Sequence, residues 1–369
     1  DSSSAASDVY KRQGLIYSCA TLSSAVLILF VGGYADRISA KRLSTLVIFG
    51  LIVFVFLMAN NTSTWGLVFI ILGLRFFGQG MLGHISMVFC GKWFFKNKGK
   101  AVAVANSGYT LAEAIMPTIF VALIGLLSWQ VSWYVSIIMS ILILASVRFL
   151  AKTERNKGTK PQKENQQVGM LKKSWKRSEM LRSWVFWAAV PGLMTSPMIT
   201  TTLFFHQVHL VEIKSWDLST YVLFIPAYSA ATLFSLYLIG YLVDKLSTKI
   251  ILPVFLFPLI SGLLLLSIAT SYLELLLIFI LLGLSAGAYI VVYGTFFPEF
   301  FGSLYLGSVR TVGVTIMVFS SAIGPVLSGY FIDLGYLIDH QFKFFAAFSV
   351  FASLLFLTIN LSVKLPENA

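Results

Sequence analysis

This chain of 369 residues is 57% hydrophobic and only 11% charged, with a net charge of +12. A soluble domain carries about 25% charged residues, so this much apolar surface excludes a water-soluble fold and makes lipid the solvent. The basic excess is spread over short loops between apolar stretches, not gathered in one solvated patch. That argues against nucleic acid as a partner and matches the inside bias of membrane proteins.

A helix needs about 20 apolar residues to cross the hydrocarbon core. Residues 1–13 carry SSAASDVYKRQ, which resembles a translated sequencing adapter, and they are set outside the fold. Spans are then predicted at 14–35, 44–59, 65–91, 101–126 and 131–151. After a polar stretch, six more follow at 184–206, 218–243, 248–269, 273–298, 307–333 and 343–363. The domain organisation is thus an N-terminal transmembrane half at 14–151, a linker at 152–183 and a C-terminal half at 184–369. The linker opens with KTERNKGTKPQKENQQ, too polar to bury. Its end, residues 170–181, sets Leu171 and Trp175 four apart among cations, which suits a short helix on an anionic leaflet or a solvated linker. Cys19 and Cys90 both lie in apolar spans, with neither metal spacing nor a disulfide framework.

Charge sets the orientation. Arg37, Lys41 and Arg42, then Lys92, Lys96, Lys98 and Lys100, then Lys245 and Lys249 mark one side, together with ten basic residues between Lys152 and Arg182. The loops 60–64 and 127–132 have none. The basic side, with the linker and the C-terminus, is expected to be cytoplasmic.

The chain also repeats itself. Gly240, Asp244 and Lys245 each lie 208 positions after Gly32, Asp36 and Arg37. Pro325 follows Pro117 at the same offset, and Gly283-Leu284 follows Gly73-Leu74 at 210. Internal duplication of apolar helices is the plan of secondary transporters. The two loops, GGYADRISAKR and GYLVDKLSTK, resemble the Gly-x-x-x-Asp-(Arg/Lys) loop signature of the major facilitator superfamily, with Ser39 and Ser247 in place of its inner glycine. The stretch KWFFKNKGKAVAVANSG is similar to the bacterial monocarboxylate and oxalate/formate porter branch. The resemblance implies an all-α membrane fold of two pseudo-symmetric six-helix halves. It further implies that the counterpart of 184–206 precedes residue 1, so that about eleven helices are present here and the chain is an N-terminally truncated fragment.

Candidate site residues fall in two groups. The resemblance implies a conformational latch from Gly32, Asp36, Arg37, Lys41, Arg42, Gly240, Asp244 and Lys245; a topogenic charge cluster is the plainer account. The second group concerns solute and proton coupling. Arg75 sits deep in the third span, where a lone cation costs at least about 2.5–3.5 kcal/mol and should face a cavity or an acid. Gln79 shares its face, and the ILGLRFFGQG segment resembles the family's helix-4 signature. Asn106, Tyr109, Thr110 and Glu113 form a stripe on the next span, and Glu113 is expected to pair with Arg75 or to carry a proton. His84 reads as a packing histidine. His206, three before His209, suits an outer gate, a proton entry point or a simple interfacial pair. Tyr228 and Tyr289 lie on hydroxyl-bearing stripes that suit a cavity wall or interhelical hydrogen bonds.

A Gly-x-Ser-x-Gly match at 283–287 raises an intramembrane enzyme, but a nucleophile elbow needs a strand-to-helix turn and this serine sits in an apolar helix. No phosphate loop is present, and neither a metal nor a cofactor is implied. The expected function is therefore proton-coupled or exchange transport of a monocarboxylate-like organic anion by alternating access, in a monomer of the inner membrane. An exporter of amphipathic compounds is the alternative, and a non-transporting sensor a further one.

Overall fold

Several long apolar segments of this chain begin where a polar side chain caps the first turn. Ser39 and Ser63 accept from the backbone N–H of Arg42 and Gly66 at 3.4 and 3.3 Å. Asp217 accepts from Thr220 at 2.8 Å, and Ser271 with Glu274 forms a capping box. Each cap satisfies N–H groups that the helix itself leaves open. The computed structural model describes residues 19–94, 96–150 and 168–363. The tag-like segment 1–13, the polar stretch 152–167 and the tail after 363 lie outside the described residues, as does the side chain of Pro117.

The first half holds α1 (Cys19–Asp36), α2 (Ala40–Ala59), α3 (Trp65–Trp93), α4 (Lys98–Leu126) and α5 (Trp129–Leu150). The second holds α6 (Trp184–Phe205), α7 (Leu218–Leu246), α8 (248–268), α9 (Tyr272–Phe301), α10 (Leu306–Asp333) and α11 (Ile338–Ser362). Ten of these are long and apolar enough to cross a membrane. The exception is α8, predicted as one span, which is broken by turns at 252–256. Pro253 causes the break, since it has no N–H and its ring crowds the preceding turn. The Pro253 carbonyl is recovered by Ser353 Oγ on α11 at 2.6 Å.

The exterior is apolar, as lipid requires. Trp65 is 87% exposed and Leu361 77%. Phe296, Phe297, Phe300 and Phe301 are fully buried where α9 meets its neighbours. The halves meet through α4 against α7 and α1 against α10, the same pairing seen twice through the 208-residue repeat. Inside α3, Arg75–Leu82 winds as a π-helix. Gly78 and Gly80 weaken the α-helical preference there, and such bulges often mark functional sites.

The end of the linker departs from expectation. It makes only one helical turn, Arg177–Met180, and does not lie free along a leaflet. The N–H groups of Met170, Leu171 and Trp175 bond the carbonyls of Glu299, Phe300 and Phe301 at 2.7, 3.4 and 2.8 Å. Those carbonyls lie in the last turn of α9, which leaves four without helical partners. Met180 is fully buried beneath the clasp.

The two serines that replace the family glycine behave differently. Ser39 has φ −62°, an ordinary cap. Ser247 has φ +75°, and its buried hydroxyl has no partner. A left-handed backbone costs an L-residue about 1–2 kcal/mol, and glycine nothing. Ser247→Gly is therefore expected to raise the thermal unfolding midpoint in detergent, by the equivalent of about 1 kcal/mol. Ser39→Gly should lower it by a few tenths of a kcal/mol. Equal shifts in the two variants would contradict the assignment of strain to Ser247.

Candidate functional site

At the basic end, Asp36 closes α1 and reaches the other half. Its Oδ1 accepts from Gly307 N at 2.7 Å and its Oδ2 from Ser308 N at 2.8 Å. Lys92 Nζ lies 2.8 Å from Oδ1. Gly307 and Ser308 open α10, where orphan N–H groups and the helix dipole favour an anion. Asp244 repeats the arrangement. It accepts from Gly99 N at 2.7 Å and from Lys100 N at 3.0 Å, at the start of α4. Gly99 and Lys100 lie 208 positions before Gly307 and Ser308, so one contact is built twice. The backbones touch: a Cβ on Gly240 would sit 2.8 Å from the Gly99 carbonyl oxygen. A third tie joins the halves. Glu299 of α9, 4% exposed, accepts from Thr248 N at 2.9 Å and lies 3.3 Å from Lys98 Nζ of α4.

The other expected latch residues surround these contacts. Gly32 is buried, with its carbonyl 3.1 Å from His84 Nε2. Arg37, Arg42 and Lys245 are exposed, Lys41 is half-buried, and Lys245 Nζ lies 4.6 Å from the Tyr241 ring centre. The cation on Asp36 is Lys92, from α3, and not the adjacent Arg37.

In the first half a cavity of about 810 Å³ is lined entirely by α2 to α5. It runs from Met58 and Ile71, toward the end remote from the basic loops, to Met87 and Ala105. Its polar lining is Arg75, Gln79, Ser86, Asn106 and Tyr109. The rest, including Leu74, Leu82 and Trp133, is apolar. Arg75 Nη1 donates to Gln79 Oε1 within the π-turn. Tyr109 of α4 lies in electrostatic range of Arg75. Asn106 Nδ2 donates to the Val102 carbonyl at 2.8 Å.

The structure brings together Arg75, Gln79, Asn106 and Tyr109, and leaves the others elsewhere. Glu113 makes no ion pair with Arg75; its electrostatic neighbours are Tyr109 and, across the halves, Tyr228. Tyr228 stacks edge-on against Phe204 at 5.7 Å. Tyr289 is buried, its hydroxyl donating to the Leu193 carbonyl of α6 at 2.9 Å. His206 meets the Pro325 carbonyl at 3.0 Å, tying α6 to α10 at the far end. There Lys214 and Asp339 pair at 2.9 Å.

Ser285 lies mid-helix in α9, and its flanking glycines face the backbone of α7. A Cβ at Gly287 would meet the Thr232 carbonyl and Ser235 Cβ. This is a close helix crossing without the strand-to-helix turn of a nucleophile elbow.

Sequence reasoning missed Lys92, Lys98, Glu299 and Arg310. A second arginine within an apolar span, Arg310, lies in the second turn of α10, 3% exposed. Its signal was the same, a single arginine in the otherwise uncharged run from Leu304 to Ile332.

Solved structures with this fold include the proton:xylose symporter XylE, at 11% identity, with 95% of this chain and 87% of that one covered and a TM-score of 0.71. The E. coli fucose:proton symporter FucP aligns at 10% identity over 94% of this chain and 97% of its own, TM-score 0.66. The human organic anion transporter MFSD10 aligns at 13% over 95% and 83%, TM-score 0.64. No curated protein is a detectable relative. The family profile described as Major Facilitator Superfamily matches residues 10–325. With the profile spanning most of its length and the fold agreeing, this chain belongs to the Major Facilitator Superfamily.

Proposed function

We propose that this protein is a secondary active transporter that carries a small monocarboxylate-like organic anion, coupled to protons or to exchange, by alternating access. The observation that carries this reading is the pairing of a cavity holding a cation, Arg75, with two repeat-related latches that shut the opposite end. A guanidinium lining a largely apolar cavity offers an anion charge-assisted hydrogen bonds that are strong where water is scarce. Glu113, beside Tyr109 but apart from Arg75, is assigned the proton-coupling role. The basic end is assigned to the cytoplasm of an inner membrane by its lysines and arginines. The working unit is taken as a monomer, and no catalytic step is required.

Purified protein in proteoliposomes, given a panel of labelled short carboxylates and an imposed pH gradient, tests the reading. Uptake of one acid, stimulated by the gradient or by internal unlabelled acid, is expected. No carboxylate uptake from well-folded protein would overturn it. Efflux of amphipathic compounds would then be the better account, which the largely apolar cavity wall also suits.

A further inference from the structure

Among the described residues, no carboxylate forms an ion pair with Arg310. It is 3% exposed, and both Nε and Nη1 lack a hydrogen-bond partner. The guanidinium carbon lies 4.9 Å from the Tyr293 ring centre. The Tyr293 hydroxyl, also buried, is the polar group that faces the guanidinium. The side chains acting most strongly on Arg310 are Tyr293, Cys90 and Tyr289, none of them a carboxylate. The groups facing this region from α3 and the linker end are His84, Lys92 and Arg177. Asp36, at the start of the neighbouring contact between α1 and α10, is committed to Gly307, Ser308 and Lys92.

A buried, unpaired charge destabilises the conformation that buries it. This one lies where α10 of the second half packs on α1 and α3 of the first, under the Asp36 latch. Parting the halves at the basic end uncovers it.

We propose that Arg310, with the Tyr293 hydroxyl, is an anion station that is closed in this conformation and opens with the basic end. Its ligand is a compact monovalent anion, a halide or a short carboxylate, held by the guanidinium and the phenol. An anion that binds only the opened form shifts the population toward it. The station is separate from the Arg75 cavity. It rests on the proposed alternating access, but not on which solute that cavity takes.

Cys90 supplies the readout, because it lies beside Arg310 and is half-buried. In a Cys19→Ser background, alkylation of Cys90 by N-ethylmaleimide is timed in proteoliposomes. Sodium bromide and sodium formate are each compared with a bulky organic sulfonate at equal ionic strength. Bromide or formate is expected to speed labelling at least about fivefold. Arg310→Gln should abolish the effect, Tyr293→Phe should weaken it, and Arg310→Lys should keep part of it. Acceleration by formate alone identifies the carboxylate as occupant, and by bromide alone a counter-ion. Equal rates in all three salts would overturn the proposal, as would acceleration that survives Arg310→Gln. Arg75→Gln run beside it separates the two sites. If carboxylate uptake is absent yet anion-driven labelling depends on Arg310, the station stands and the cavity reading falls.

Discussion

Asp36→Asn is expected to release the basic end. In the closed form the carboxylate holds two backbone N–H groups of the other half and one lysine, at 2.7 to 2.8 Å. Asparagine offers one acceptor and no charge. One N–H and Lys92 are then left without their partner. Hydrogen bonds to charged groups contribute about 1.5–3 kcal/mol each, so a loss of about 2 kcal/mol moves the closed-to-open ratio by roughly thirtyfold. Spin labels at Arg42 and Lys245, both exposed and in different halves, report this as a pulsed-EPR distance distribution. It should broaden toward longer separations. Asp244→Asn should do the same more weakly, because Asp244 has no ion pair within 4 Å among the described residues, while Asp36 has Lys92. A distribution unchanged in Asp36→Asn would mean the latch does not set the equilibrium.

Arg75→Ala is expected to lower carboxylate uptake by roughly ten- to a hundredfold in kcat/KM, the effect of losing one charge-assisted contact of about 1.5–3 kcal/mol. Arg75→Lys should recover only part, because the compact ammonium cannot hold Gln79 and an anion with the same planar fork. Glu113→Gln should behave differently. Since Glu113 does not pair with Arg75, anion exchange should persist while stimulation by the pH gradient disappears. Uptake that falls equally in exchange and gradient-driven modes in Glu113→Gln would assign that residue to the solute and not to the proton. Arg75→Ala with full uptake would remove the cavity from the transport path.

The spans were legible because lipid forces each segment to satisfy its own backbone, so length and hydropathy suffice. Only α8 misled, and its breaker, Pro253, stood in the sequence. The duplication was legible too, and with it the fact that Asp36 and Asp244 hold equivalent places. What they touch was not, since the Asp36 contact with Gly307 spans 271 residues. Nothing local distinguishes Arg37, beside Asp36 in the motif, from Lys92, which reaches it from α3. Nor does helical spacing alone separate Glu113 from Arg75, because their spacing depends on how α3 and α4 pack and on the π-turn that rotates Arg75. Tyr289 shows the same limit: its stripe fitted a cavity wall, and packing against α6 used its hydroxyl for Leu193. The sequence by itself determined the membrane, the spans, the repeat and the family. The tertiary structure alone decided which backbone N–H groups Asp36 and Asp244 hold, which cation meets Asp36, and that Arg310 is buried with no ion pair among the described residues. The physical reason is that hydrophobic length and charge are local properties of the chain, whereas contacts between halves exist only once distant helices are packed together.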